Sequence, residues 1–369
     1  MKKLHKTLIL TLALSLFLSI FTANAFAIDT SGAASIVIDV STGSILYEKN
    51  IHEKLPMAST TKIMTALLAI ENVAMDKIVS VNPKAQGIEG SSIYLKSNEK
   101  VKMADLVYGL MLRSGNDAAT AIAYEVGGGS YEKFIELMNK RAKELGALNT
   151  NFMNPHGLYH KEHYTTAYDL AIVTREALKN PVFKEVARTK MWVAERDEFK
   201  YFSNKNKILN SYEGGDGVKT GFTKKSGRCL VASATRNNMQ LVAVTLNDGN
   251  WFNTTMQLLD HSFENYSPYI QFEEGQNVKR IYVENGDKEF TYVKTDSKLI
   301  IPLNNNIDSK VISVFELPEQ IEAPVNQDQV IGSILTYVDN KLVDKSDLLT
   351  TENIQKLTLM DKLKRFLFN

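Results

Sequence analysis

A single cysteine, Cys229, stands in 369 residues, so no intrachain disulfide can brace this fold. It sits in Arg-Cys-Leu-Val-Ala-Ser-Ala, a strand-like run where a small buried hydrophobe is expected rather than a nucleophile. Six histidines are scattered singly and none falls in a His-Glu-x-x-His pattern, so neither a metal nor another cofactor is expected. Excess charge is lacking as well: 43 Lys and Arg oppose 42 Asp and Glu, a formal net charge of +1. A near-neutral body gives no electrostatic case for nucleic acid as a partner. Beyond residue 21 no apolar run is long enough to span a bilayer. What the length does allow is a large core and two domains.

The N-terminus has its own character. Lys2, Lys3 and Lys6 precede a stretch at 8–21 that is apolar apart from a few Ser and Thr, and Ala25-Phe26-Ala27 offers a small-x-small cleavage site. Residues 1–27 therefore read as a signal peptide cut after Ala27, with Ala25 as the second choice. The alternative is a retained transmembrane helix, but the apolar run falls short of the ~20 residues a span needs. Cleavage removes three lysines and no acid, leaving 40 Lys and Arg against 42 Asp and Glu, a net charge of −2.

Three textures follow. Residues 34–40 and 44–48 are β-like runs joined by Ser41-Thr42-Gly43, and apolar residues then recur at helical spacing from Ile63, Met64, Leu67 and Leu68 onward and through 103–112, 118–124, 131–145 and 166–177. From Gly217 the period changes to strands at 217–222, 229–235 and 241–246, with a closing helix at 252–263. This predicts an α/β domain over 28–268, with a helical insertion and an antiparallel sheet built from both ends of the sequence. Short strands between Asn-, Asp- and Gly-rich turns then predict a small all-β domain at 271–343. In the tail, 351–369, Ile354, Leu357, Met360, Leu363 and Leu367 recur every three or four residues among Lys356, Lys362, Lys364 and Arg365. That pattern predicts an amphipathic basic helix lying on an anionic membrane surface, or else docked on the protein's own body.

Three polar triplets carry the chemistry. Ser59 and Lys62 stand three apart in Ala-Ser-Thr-Thr-Lys, one helical turn, which sets an amine beside a hydroxyl. Serine needs an adjacent base to be nucleophilic, and the apolar Ile63, Met64 and Leu67 would seat Lys62 in a dry core that lowers its pKa. Ser114-Gly115-Asn116 follows an apolar helical run. Its glycine suits a tight turn, Ser114 could relay a proton, and Asn116 could orient Lys62 and hold a substrate amide. Lys219-Thr220-Gly221 lies on an edge-like strand, where a cation and a hydroxyl suit a terminal carboxylate. Gly221 would let a substrate backbone lie close, and the strand and Ser59 would supply N–H groups to an oxyanion. Taken singly, each triplet is ordinary helix-face, capping or strand sequence. Their order and spacing give the signal.

With Asn154-Pro155-His156-Gly157-Leu158 and the Asp216-Gly217-Val218 that leads into Lys219, these motifs resemble the low-molecular-mass penicillin-binding proteins, the serine-type D-alanyl-D-alanine carboxypeptidases of peptidase family S11. The likeness covers nearly the whole chain. It implies a β-lactamase/transpeptidase-like domain, a smaller β-rich domain and a C-terminal amphipathic anchor outside the cytoplasmic membrane. It also implies peptidoglycan stem peptides ending in D-Ala-D-Ala as substrate and β-lactams as covalent inhibitors. In that scheme Ser59 attacks, Lys62 takes its proton, Ser114 passes a proton to the leaving nitrogen, and Lys219 and Thr220 hold the carboxylate. Arg228 is a further candidate cation there, and His156 a candidate part of the cleft wall. The motif text reads nearer to the sporulation-associated Gram-positive branch. One departure is Phe222, where many relatives carry His. The chain also lacks the Glu-x-x-Leu-Asn loop with which class A β-lactamases position deacylating water. The rival readings are a serine β-lactamase and a non-catalytic envelope protein that captures peptide.

Overall fold

The computed structural model describes residues 30–360, and one compact unit begins at Gly32. The expected leader at 1–27 lies outside the described residues. Strands β1 (Ala34–Asp39) and β2 (Ile45–Lys49) form the expected hairpin, with Gly43 at φ +75° and the Asp39 carboxylate accepting from both Thr42 N–H and Thr42 O–H. A 3-10 turn, Ala58–Thr61, runs directly into α1 (Lys62–Asn72). The short ribbon β3 (Ile78–Ser80) and β4 (Lys100–Lys102) brackets a long loop before α2 (Met103–Tyr108). α2 ends in a π-helical turn, Gly109–Arg113, followed by α3 (Asn116–Val126) and α4 (Tyr131–Glu144).

Helix starts are set by short polar caps. Thr166 accepts from Asp169 N–H to open α5 (Ala167–Lys179), and Asn180 caps α6 (Pro181–Arg188), whose first residue needs no donor because it is proline. The ribbon β5 (Met191–Val193) and β6 (Tyr201–Ser203) and the short α7 (Ile208–Ser211) lead to β7 (Gly215–Thr223), β8 (Gly227–Arg236), β9 (Met239–Leu246) and the closing α8 (Trp251–Asn265). The main sheet has the order β2-β1-β9-β8-β7 with antiparallel neighbours throughout. β1 is buried along its whole length and β9 nearly so, which requires cover on both faces. Ile36, Ile38, Val242 and Val244 join the core shared with the central helices, and α8 packs against β8 and β9. Because β7 is an edge strand, one side of Lys219-Thr220-Gly221 is left without a β partner.

The expected α/β domain with an antiparallel sheet is thus present, and an all-β domain follows it. The second region is wider than 271–343. β10 (Tyr266–Phe272) contains Pro268, which lies opposite Pro302 in a two-stranded ribbon, where a missing N–H is tolerated. β11 (Asn277–Glu284), β12 (Phe290–Thr295), β13 (Leu299–Asn304), β14 (Val311–Glu316), β15 (Gln320–Glu322), β16 (Val330–Val338) and β17 (Lys341–Thr350) complete it. β13 pairs with β10, and the other six strands form one sheet, β14-β16-β17-β12-β11-β15. Its core is Ile281, Val293, Ile334 and Leu348 with Phe272, Leu299 and Ile301. β17 escapes a reading by alternation because Asp344, Lys345 and Asp347 crowd it.

The tail needs correction. A helix from Thr351 is contradicted: Ile354 is 0 % exposed among Val283, Ala323 and Val325, and forms a β-bridge with Val325. Lys356 pairs with Glu322, and Leu357 N–H donates to Asn285 O. Helix begins only at Leu359, which is 89 % exposed, and 361–369 lies outside the described residues. Two of the residues that give the stripe its helical period, Ile354 and Leu357, thus belong to an extended segment that seals the β domain. Among the described residues no helix is long and apolar enough to cross a membrane.

Candidate active site

Three segments meet at the start of α1. The turn Ala58–Thr61 carries Ser59, and Ala58 takes a left-handed φ of +48° despite its Cβ. Non-glycine residues rarely hold that conformation unless the surroundings impose it. Two glycines impose it here. A Cβ on Gly157 would stand 1.8 Å from Ala58 O, and one on Gly221 would stand 2.9 Å from Ser59 N. The space at Gly221 is therefore taken by the serine turn itself, not left open for a substrate backbone, and it brings Ser59 N–H against β7.

One turn on, Lys62 is completely buried. Its Nζ lies 3.0 Å from Ser59 Oγ, 2.7 Å from Asn116 Oδ1 and 2.5 Å from His156 O. Burial pushes its pKa well below the ordinary lysine value; the positive charge of Lys219 pushes the same way, and Asp117 opposes it. A neutral amine has two N–H donors and one lone pair. Its two acceptors here are Asn116 Oδ1 and the His156 carbonyl, which turns the lone pair toward the Ser59 hydroxyl.

Ser114 is buried and takes φ +64° at the end of the π turn, so the left-handed residue is the serine rather than Gly115. Gly115 is needed for room: a Cβ there would come within 2.9 Å of Asp117 Oδ1. The Ser114 hydroxyl makes no hydrogen bond among the described residues. Asn116 opens α3, and its side chain bridges Lys62 Nζ and the Glu89 carbonyl. Asp117, given no role in the sequence analysis, holds the adjoining wall, accepting from Ser92 O–H and from the N–H groups of Ile93 and Leu95.

Lys219 is 2 % exposed, and its Nζ donates to Thr220 O at 3.0 Å. Burial, with repulsion from Lys205, lowers its pKa to about 7. His156 contributes its carbonyl to Lys62, while its ring Nδ1 accepts from Leu158 N–H. Burial lowers the pKa of that ring to about 3, so it is neutral at physiological pH. His163 was missed in the sequence. Its Nδ1 accepts from Met153 N–H, so Nε2 carries the proton and donates to Thr61 Oγ1, which in turn donates to Ala58 O. Thr65 donates to Pro155 O and ties the Asn-Pro-His-Gly segment to α1. Neither contact has a local sequence signature.

Arg228, opposite Phe222 on β8, donates to Gly249 O at 2.9 Å and lines a cavity that also touches Thr220. Phe222 is 60 % exposed. Lys205, also unforeseen, stands close enough to lower the pKa values of both Lys62 and Lys219. Among the described residues no group of three or more His, Cys, Asp or Glu side chains could hold a metal ion. Cys229 is buried, and its thiol pKa is raised to about 11 by burial, as suits a packing residue.

Ser59, Lys62 and Asn116 thus form one cluster beside an edge strand. Residues 21–250 match the family model described as D-alanyl-D-alanine carboxypeptidase, and 266–356 match the C-terminal domain of penicillin-binding protein 5. The chain belongs to that carboxypeptidase family. It is 33 % identical to the D-alanyl-D-alanine carboxypeptidase DacF of Bacillus subtilis, over 98 % of this chain and 97 % of the relative. It is also 33 % identical to DacC of Escherichia coli, over 93 % and 90 % of the two chains. Penicillin-binding protein 5 of Haemophilus influenzae superposes with a TM-score of 0.70 at 28 % identity, over 89 % of this chain and 98 % of that one.

Proposed function

We propose that this protein removes the terminal D-alanine from peptidoglycan stem peptides through an acyl-enzyme on Ser59. The observation that carries the mechanism is the buried amine of Lys62, 3.0 Å from Ser59 Oγ and without a carboxylate partner. Neutral Lys62 accepts the hydroxyl proton as Ser59 Oγ attacks the penultimate carbonyl. The oxyanion develops against Ser59 N–H and the backbone of β7. Ser114 passes a proton to the departing nitrogen, D-alanine leaves, and water then hydrolyses the ester. Lys219 and Thr220 hold the terminal carboxylate, which restricts the enzyme to chain ends, and Asn116 holds both the substrate amide and Lys62. A β-lactam presents the same carbonyl and carboxylate, so it should acylate the same serine.

Intact-mass analysis of the mature chain tests this. With a D-Ala-D-Ala peptide it should release one alanine, and with penicillin it should gain one covalent adduct, mapped to Ser59. Adduct formation in Ser59→Ala, or an adduct on Ser114, would refute the assignment. Penicillin hydrolysis that outpaces peptide hydrolysis would favour the β-lactamase reading. Reversible peptide capture without turnover would favour the binding-protein reading.

We further propose that the protein is exported by its leader and held at the outer face of the cytoplasmic membrane by the segment from Leu359 onward. The support is exposed Leu359 and Met360, followed in sequence by Lys362, Leu363, Lys364, Arg365, Leu367 and Phe368. Truncation after Leu357 should abolish sedimentation with anionic vesicles and leave peptide hydrolysis intact. Equal sedimentation of both forms would remove the proposal.

A further inference from the structure

The groove does not close at Thr220. A cavity of about 520 Å³ opens beside it, lined by Thr220, Lys205, Lys207, Arg228, Trp251 and Phe252 among others. All of its charged lining residues are cationic, and no Asp or Glu lines it. Among the described residues none of the three cations has a carboxylate partner, whereas Arg141, Arg196 and Arg236 all do. Aromatic faces hold two of them in place: the Arg228 guanidinium is 5.9 Å from the Trp251 ring centroid, and Lys207 Nζ is 6.0 Å from that of Phe252. Three uncompensated cations around one concavity repel each other and concentrate positive potential there, which favours an anionic occupant. A substrate's terminal carboxylate at Lys219 and Thr220 would fill only a small part of such a volume.

We infer that this cavity receives the side chain of the residue being released, and that it favours an anionic one, so that peptides ending in D-Glu or D-Asp are substrates alongside those ending in D-Ala. This deepens the carboxypeptidase reading and rests on it. The terminal carboxylate and the terminal side chain share one α-carbon. A carboxylate held at Thr220 therefore brings the side chain to the cavity of which Thr220 is a wall. The chemistry is unchanged: the bond from the penultimate carbonyl to the terminal nitrogen breaks, the nitrogen gains a proton, and water completes the acid. An acidic side chain gains a charge-assisted contact with Lys207 and Arg228, while a basic one meets only repulsion.

The test uses the mature full-length chain and acyl-D-alanyl-X peptides in which X is D-Ala, D-Glu, D-Gln or D-Lys. D-Gln has the shape of D-Glu without its charge. The kcat/KM for D-Glu should exceed that for D-Gln by about tenfold, as one charge-assisted contact of about 1.4 kcal/mol gives, with D-Lys lower still. Lys207 is exposed and lines the cavity without touching Ser59, Lys62 or Ser114. Lys207→Glu should therefore reverse the order of D-Glu and D-Lys, read as the ratio of the two kcat/KM values on one preparation whose thermal unfolding reports an intact fold. Equal rates on D-Glu and D-Gln, or an unaltered order in Lys207→Glu, would overturn the inference with the carboxypeptidase reading intact. Failure to hydrolyse the D-Ala peptide as well would overturn both.

Discussion

Residues 34–265 and 266–354 bury different chemistry. The first region hides Lys62, Lys219, Asp105, Asp117, Asp169, His156 and His163, while the second, among its described residues, hides only Ser and Thr as polar side chains. Removing an ionisable group from water is unfavourable unless a partner or a neutral state relieves it. The buried acids have that relief: Asp117 accepts backbone N–H groups, and Asp105 accepts from Trp192 Nε1–H and Glu195 N–H. Lys62 and Lys219 have no carboxylate partner, and their relief is a lowered pKa. On the proposed mechanism the unpaired buried amines are the groups that act on substrate, and the paired buried acids brace the loops around them. The β domain contains neither, which fits a structural or positioning role.

The largest effect should come from removing one unpaired amine. Lys62→Met fills the same space without a charge, so penicillin acylation should slow by about 10²–10⁴-fold. The fold should hold its stability or gain some, because a buried ionisable group has been replaced by an apolar one of similar length. Acylation kinetics and thermal unfolding on the same sample check both halves. Native acylation would mean Lys62 is not the base, and a large loss of stability would mean its amine is a structural tie.

A contrasting change belongs in the β domain. Ile354→Ala should destabilise that domain by about 2–4 kcal/mol, the usual cost of emptying a closed aliphatic site. Acylation of Ser59 should be unaffected while both regions remain folded. Denaturant unfolding followed alongside penicillin binding tests the separation. If the acylation rate falls in step with stability, the two regions are coupled and the comparison above has to be redrawn.

These two residues also show what could be read from sequence. Ser59 and Lys62 were legible because one helical turn fixes their proximity and both residue types are needed for one reaction. Ile354 was misread: its spacing to Leu357 and Met360 fits a helix as well as an extended strap, and only Val283, Ala323 and Val325, distant in sequence, decide between them. The strands of the sheet were visible by alternation where one face is buried, but β17 was hidden by its charged residues. Gly221 was singled out as room for a substrate and Gly115 as a tight turn, whereas what crowds each of them is the protein's own chain, Ser59 N at Gly221 and Asp117 Oδ1 at Gly115. His163 and Lys205 left no signal, because their roles arise from segments brought together only by the fold.

Lys205 offers the finest test of the unpaired amines, by charge alone. Acylation of a free-acid peptide needs Lys62 neutral and Lys219 charged. kcat/KM should therefore rise with pH through the lowered pKa of Lys62, then fall as free Lys219, with its pKa of about 7, loses its proton. The positive charge of Lys205 lowers both pKa values, so Lys205→Ala lets both amines keep their protons to higher pH. Both limbs of the profile should move upward together, and only slightly, because the Lys205 charge is partly screened by solvent. Profiles of kcat/KM from about pH 5 to about pH 10 on a D-Ala-D-Ala peptide resolve such a shift. Movement of one limb alone would show that Lys205 acts on a single lysine. Movement of both downward would reverse the sign on which the account of Lys62 as a neutral base depends.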